Sequence, residues 1–242
     1  MTQLLISVKN VAEALIALDA GADIIDLKDP NIGALGALDD VICAQIVQAV
    51  NGRKLISATV GEQHASLNAL IASIKSRAVI GVDVIKIAAC SHFYAADFMA
   101  EVTKLTCVGT KMVVVFFADE VMDLSLIAAL QNAGFYGAML DTRRKQADLL
   151  TVQSKLNLQN FVTLCEKNRL KSGLAGSLKP QHIDELVRIN PSYIGFRGGV
   201  CENSLRQGGL SAHKVLNTAK LLRQHNNLLN KAQKCLSLAL HS

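Results

Sequence analysis

Short apolar, β-branched runs alternate with amphipathic stretches from one end of this chain to the other. The runs at 4–9, 23–28, 55–60, 83–88, 112–117, 136–141, 171–177 and 193–197 read as strands, because they are brief, rich in Val and Ile, and bounded by turn residues. The stretches at 10–20, 38–50, 64–79, 92–106, 122–133, 159–169, 180–189 and 206–224 read as helices. Gly21, Gly81, Gly134 and Asn190 stand at helix-to-strand junctions, where a left-handed residue ends a helix before the next strand. Eight β units, each followed by an α unit within 242 residues, predict a single-domain α/β fold, a (β/α)8 TIM barrel over 1–224. Residues 225–242 read as an amphipathic helical extension of the same domain. An open doubly wound sheet would carry a glycine-rich turn after its first strand. Here that junction is Ser7-Val8-Lys9-Asn10-Val11, with no glycine.

Composition narrows the picture. Half the residues are hydrophobic, only 4% are aromatic and Trp is absent, so Ala, Val, Ile and Leu must fill the interior. That suits a parallel sheet covered by helices. No apolar run reaches the roughly 18–20 residues of a membrane span. The run 4–8 is too short for a secretory core and lacks a basic segment before it, so a cytoplasmic protein is expected. The six cysteines are scattered without a Cys-x-x-Cys and read as reduced thiols. The six histidines form no close pair, so neither a metal site nor another cofactor is expected. The net charge of +5 suits a small phosphorylated substrate. Nucleic acid is disfavoured by the absence of a dense basic block and by the few aromatics. A homo-oligomer is expected.

The chemistry concentrates at strand ends, where barrels of this type carry their active sites. Strand alternation puts Ile24, Asp26 and Lys28 on one face and Ile25 and Leu27 on the other. Lys86 lies mid-strand among Val84, Ile85, Ile87 and Ala88. Strands this apolar are buried on both faces, where an unpaired ammonium is very costly. Asp26 and Lys28 can be read as a structural salt bridge, and Lys9 as a lysine that snorkels to water. The functional reading starts from the two inward lysines. An amine attacks a carbonyl only when neutral, so a lysine pKa must fall from ~10.4 toward ~7–8, and burial and a second ammonium both push it down. Asp26, Asp29 or Asp141 can then move protons. Gly176 and Ser177 at the end of strand seven, and Gly198 and Gly199 after strand eight, stand where barrels bind phosphate through backbone N–H groups, although Gly173 and Gly176 can also be read as packing glycines at a strand end. These parts point to Schiff-base chemistry on a sugar phosphate.

Several separated motifs, in order, carry a more specific likeness. They are Asp26-Leu27-Lys28-Asp29-Pro30 with Gly33 and Gly36, then Lys86, Asp141 with Lys145, Ser172-Gly173-Leu174-Ala175-Gly176-Ser177, and Gly195-Phe196-Arg197-Gly198-Gly199. Together they closely resemble the (5-formylfuran-3-yl)methyl phosphate synthase family of methanofuran biosynthesis, over residues 3–223. The resemblance implies condensation of two glyceraldehyde 3-phosphate molecules with loss of phosphate and water. It implies Lys28 as the Schiff-base lysine, with Asp26, Lys86, Asp141 and Lys145 as acid–base and phosphate-handling partners. Gly176, Ser177, Arg197, Gly198 and Gly199 are expected to hold substrate phosphate. Three alternatives stand beside it. Asp26-x-Lys28 also resembles orotidine-phosphate decarboxylases, but Asn31 occupies the last position of their pattern. A class I aldolase would carry its lysine on strand six, where Asp141 stands. A non-enzymatic barrel scaffold would need Lys28 and Lys86 only as ion-pair partners.

Overall fold

The eight apolar runs pair in chain order and the first meets the last, closing a parallel barrel in the computed structural model, which describes residues 1–239 and side chains through 232. The strands are β1 (Gln3–Val8), β2 (Ile24–Leu27), β3 (Leu55–Thr59), β4 (Val84–Ala88), β5 (Lys111–Phe117), β6 (Gly137–Asp141), β7 (Lys171–Leu174) and β8 (Tyr193–Phe196). The helices are α1 (Val11–Asp19), α2 (Asp40–Val50), α3 (Leu67–Ile80), α4 (Ala96–Cys107), α5 (Leu126–Asn132), the single turn α6 (Leu149–Val152), α7 (Lys155–Lys167), α8 (Ile183–Ile189) and α9 (Ala212–Ala239). The junction residues behave as predicted: Gly21, Gly81, Gly134 and Asn190 have φ of 91°, 95°, 76° and 60°.

Alternation along the strands divides the apolar residues into two cores. Outward residues such as Ile25, Leu27, Ile85 and Ile87 pack under the helices. Inward residues, including Leu5, Ile24, Val84, Val113, Met139 and Tyr193, form a second cluster that floors the barrel. Gly173 makes room for one of them. It lies in register with Tyr193, and a Cβ there would fall 2.3 Å from the tyrosine ring. The floor directs polar inward groups toward the strands' C-terminal ends.

Several expected boundaries shift; α4 and α5 start four residues later and α7 four residues earlier than expected, and two changes lie near the mouth of the barrel. β7 stops at Leu174, because Gly176 (φ 116°) and Ser177 (φ 49°) turn the chain out of the sheet. The last helix begins at Ala212 rather than 206, since Asn203 and Ser204 take positive φ and Gly208 and Gly209 follow. α9 then runs without Gly or Pro to Ala239, so no break separates the barrel from the expected extension at 225; residues 240–242 lie outside the described residues. Asn226 anchors this helix to the barrel floor. Its side chain accepts from the Thr2 N–H (3.1 Å) and donates to the Thr2 carbonyl (2.9 Å).

Candidate active site

A cavity of about 330 Å³ opens at the C-terminal mouth of the barrel, and Asp26, Lys28, Lys86, Asp141 and Lys145 all line it. Alternation brings Asp26 inward on β2, while Lys28 follows as the first residue after the strand, just before Pro30 stops the run. The register places Ser7 of β1 and Ser57 of β3 on either side of Asp26. Both hydroxyls donate to its carboxylate, at 2.8 and 2.7 Å, and Lys86 Nζ lies 2.5 Å from the Oδ1 that Ser57 also reaches. A second cluster forms around Asp141 at the end of β6. Lys28 Nζ donates to its Oδ2 at 3.0 Å, and Lys145 Nζ to its Oδ1 at 2.7 Å. The Thr142 N–H also donates to Oδ1, and Lys145 reaches the Thr142 carbonyl. Lys28 is therefore paired with Asp141 across the barrel, and the local Asp26–Lys28 salt bridge considered from the sequence is not the pairing adopted.

The electrostatics follow from burial and these partners. Asp141 is 3% exposed. Burial favours its neutral form, but Lys28 and Lys145 more than offset that and hold the carboxyl well below the usual range. Asp26 is likewise lowered, with Lys86 and Lys28 overcoming its desolvation. Lys86 is 2% exposed, and desolvation lowers its pKa despite the neighbouring Asp26. Lys145 is lowered in the same sense, by desolvation against Asp141. The site thus holds two firmly ionised carboxylates and two ammonium groups that release a proton more readily than a free lysine.

The five residues expected at phosphate line the same cavity. Among the described residues, none accepts a hydrogen bond from the backbone N–H of Gly176, Ser177, Gly198 or Gly199. Gly199 is there because two loops meet: a Cβ would lie 2.4 Å from the Leu178 carbonyl. Arg197 departs from expectation. All five of its N–H donors are engaged within the protein, by Glu13 through both carboxylate oxygens and by the carbonyls of Ser7, Arg206 and Gly208. Asp29 turns away and accepts from the Asn31 N–H, while Lys9 reaches the Gln207 carbonyl. His64 and His92 line a separate cavity beside the rim. A wider depression of about 1010 Å³ opens at the other end of the barrel but contains none of the buried ion pairs.

Arg206 also lines the mouth and was not singled out from the sequence. The expected helix over 206–224 includes it, whereas in the structure it lies in the loop before α9. The signal available was its setting, Glu202-Asn203-Ser204-Leu205-Arg206-Gln207-Gly208-Gly209, a composition that favours a loop after the eighth strand.

Comparison with known proteins agrees with this architecture. A Methylorubrum extorquens protein, provisionally named (5-formylfuran-3-yl)methyl phosphate synthase, is 40% identical over 222 residues, 91% of this chain and 92% of its own. The Methanosarcina acetivorans protein bearing that name is 32% identical over 216 residues, covering 84% and 92%. Among solved structures, 3-keto-L-gulonate-6-phosphate decarboxylase from Vibrio cholerae superposes with a TM-score of 0.68 at 13% identity, over 93% of this chain and 96% of that one, a likeness of fold alone. The family model described as 4-HFC-P synthase matches residues 4–219, and the chain belongs to that family.

Proposed function

We propose that this protein condenses two molecules of glyceraldehyde 3-phosphate, with loss of phosphate and water, to (5-formylfuran-3-yl)methyl phosphate, in methanofuran biosynthesis. The observation that carries this reading is the pair of crossed ion pairs, Lys86–Asp26 and Lys28–Asp141–Lys145, in a cavity rimmed by backbone N–H groups that have no acceptor among the described residues. The family's relatives bear the synthase name.

Lys28 is the nucleophile. Its nitrogen adds to the substrate aldehyde carbon, and the carbonyl oxygen departs as water to leave an imine. Among the described residues its ammonium makes one hydrogen bond, to Asp141, and the side chain lines the cavity. Lys86 is bound tightly to Asp26, lies deeper and has a lowered pKa, which suits a base that takes a proton from Lys28 or from a substrate carbon. Asp26, held by Ser7 and Ser57, keeps that amine in place. Lys145 supplies a proton to a departing oxygen, with Asp141 orienting it. The retained phosphate sits on the N–H groups of the loops after β7 and β8.

Incubation with glyceraldehyde 3-phosphate, followed by furan absorbance and free phosphate, tests the reading. Equimolar furan and phosphate are expected. Phosphate without furan would reduce the activity to elimination, and neither signal would overturn the assignment.

A further inference from the structure

The geometry points to Arg206 as the guanidinium that takes substrate phosphate in the mouth, with Arg197 as the brace that presents it. This inference rests on the phosphate-binding reading of the same cavity.

Arg197 has no donor left for a ligand. Two of its five go to the carbonyls of Arg206 itself (2.8 Å) and Gly208 (2.9 Å), the backbone of the loop that carries Arg206. Glu13 of α1 fixes Arg197 through both carboxylate oxygens, and the Ser7 carbonyl takes another donor at 3.1 Å. The loop after β8 is therefore tied to β1 and α1 through this one side chain.

Arg206 is the opposite case. Its side chain starts beside Gly198, where an added Cβ would lie 3.6 Å from Arg206 Cβ. It then crosses the mouth to the loop after β2, where Nη2 donates to the Gly33 carbonyl at 2.9 Å. That contact engages one of five N–H groups; among the described residues the other four have no acceptor, and no carboxylate lies within ion-pair distance. A planar fork with free donors is suited to two phosphate oxygens at once, which an ammonium cannot match in geometry. The charge balance favours the same residue. Three inward lysines face two carboxylates, Arg197 faces Glu13, and Arg206 adds an unmatched positive charge beside the free N–H groups of Gly198 and Gly199. Holding Gly33 with one hydrogen keeps the guanidinium across the mouth before a ligand arrives, so little side-chain order is lost on binding.

The test uses the full-length protein. Inorganic phosphate binding is measured by calorimetry, and KM and kcat for glyceraldehyde 3-phosphate are measured, in wild type, Arg206→Gln, Arg206→Lys and Arg197→Gln. Wild type should bind phosphate. Arg206→Gln should melt as wild type, with phosphate affinity lowered and KM raised about tenfold or more, the effect of a lost charge-assisted contact. Arg206→Lys should recover only part of the affinity. Arg197→Gln should lower the melting temperature as well as raise KM. If Arg206→Gln and wild type bind phosphate equally, Arg206 is not the contact, while the anion-site reading stands. If wild type binds no phosphate, that reading fails and the role of Arg206 falls with it.

Discussion

Lys28 Nζ lies 3.0 Å from Asp141 Oδ2, a carboxylate 113 positions further along the chain, while Asp26, two residues before Lys28, is held by Lys86 at 2.5 Å. Asp26 on β2 and Lys28 just past its end thus anchor to different sides of the barrel. The crossing makes an alternating set of charges in which each carboxylate is bound to an ammonium, and the buried charges are compensated without leaving the cavity. It also makes the set interdependent, since removing one member strands another.

Asp141→Asn should lower turnover by roughly 10²–10⁴-fold, the range for loss of an acid–base group or its orienting partner. It should also lower stability, because Lys28 and Lys145 would then face each other without a carboxylate. Lys145 is the more exposed of the two and can turn to water, so the loss should fall short of the ~3–5 kcal/mol of a fully buried broken pair. Adding Lys145→Met to Asp141→Asn should restore the melting temperature and leave turnover low. Recovery of both would contradict the roles proposed for Asp141 and Lys145 alike.

The pH dependence of stability has a definite sign. Asp26 and Asp141 have pKa values lowered by folding, so their contribution is present above the unfolded carboxylate value of ~3.9 and is lost as pH falls through the lower folded values. Urea midpoints measured from pH 7 down to pH 2 should fall steeply below about pH 4. The Asp26→Asn, Asp141→Asn double variant should start lower at pH 7 and decline less on this acid limb. Parallel curves for the two proteins would show that the pairs do not govern acid stability.

Adjacent glycines should respond differently. Gly199→Ala sets a Cβ 2.4 Å from the Leu178 carbonyl and should lower the melting temperature. Gly198→Ala meets nothing closer than 3.6 Å, so it should fold as wild type and raise KM for glyceraldehyde 3-phosphate by crowding the proposed anion site. Gly176 cannot serve as the neutral probe, since its φ of 116° and its approach to the Thr142 backbone make any side chain strained. An unchanged KM in Gly198→Ala would restrict that glycine to a structural role.

Most of the fold was legible because strand alternation and helix-stop residues are local signals. The inward direction of Asp26, Lys28 and Lys86 follows from a two-residue period, and all three line one cavity. What local pattern does not encode is partner choice across the barrel. The Lys28–Asp141 contact depends on barrel closure and side-chain reach, so the carboxylate nearest in sequence, Asp26, is not the partner of Lys28. Arg197 and Arg206 illustrate the same gap. A composition rule sees two arginines near glycines, but only the three-dimensional contacts show one saturated by Glu13 and three carbonyls and the other open to the mouth. The start of α9 was misplaced for a related reason, since helix-forming Leu205 and Arg206 precede Gly208 and Gly209.

In the proposed reaction Lys28, rather than the deeper Lys86, forms the covalent bond to substrate. Borohydride added during turnover of glyceraldehyde 3-phosphate should reduce the imine to a stable secondary amine, located by mass spectrometry of the proteolysed protein. The adduct is expected on the peptide containing Lys28. No adduct and no furan are expected in Lys28→Arg, whose guanidinium stays protonated, and slower adduct formation is expected in a folded Lys86→Arg. An adduct on Lys86 or Lys145, or furan formed with no adduct anywhere, would contradict that role for Lys28.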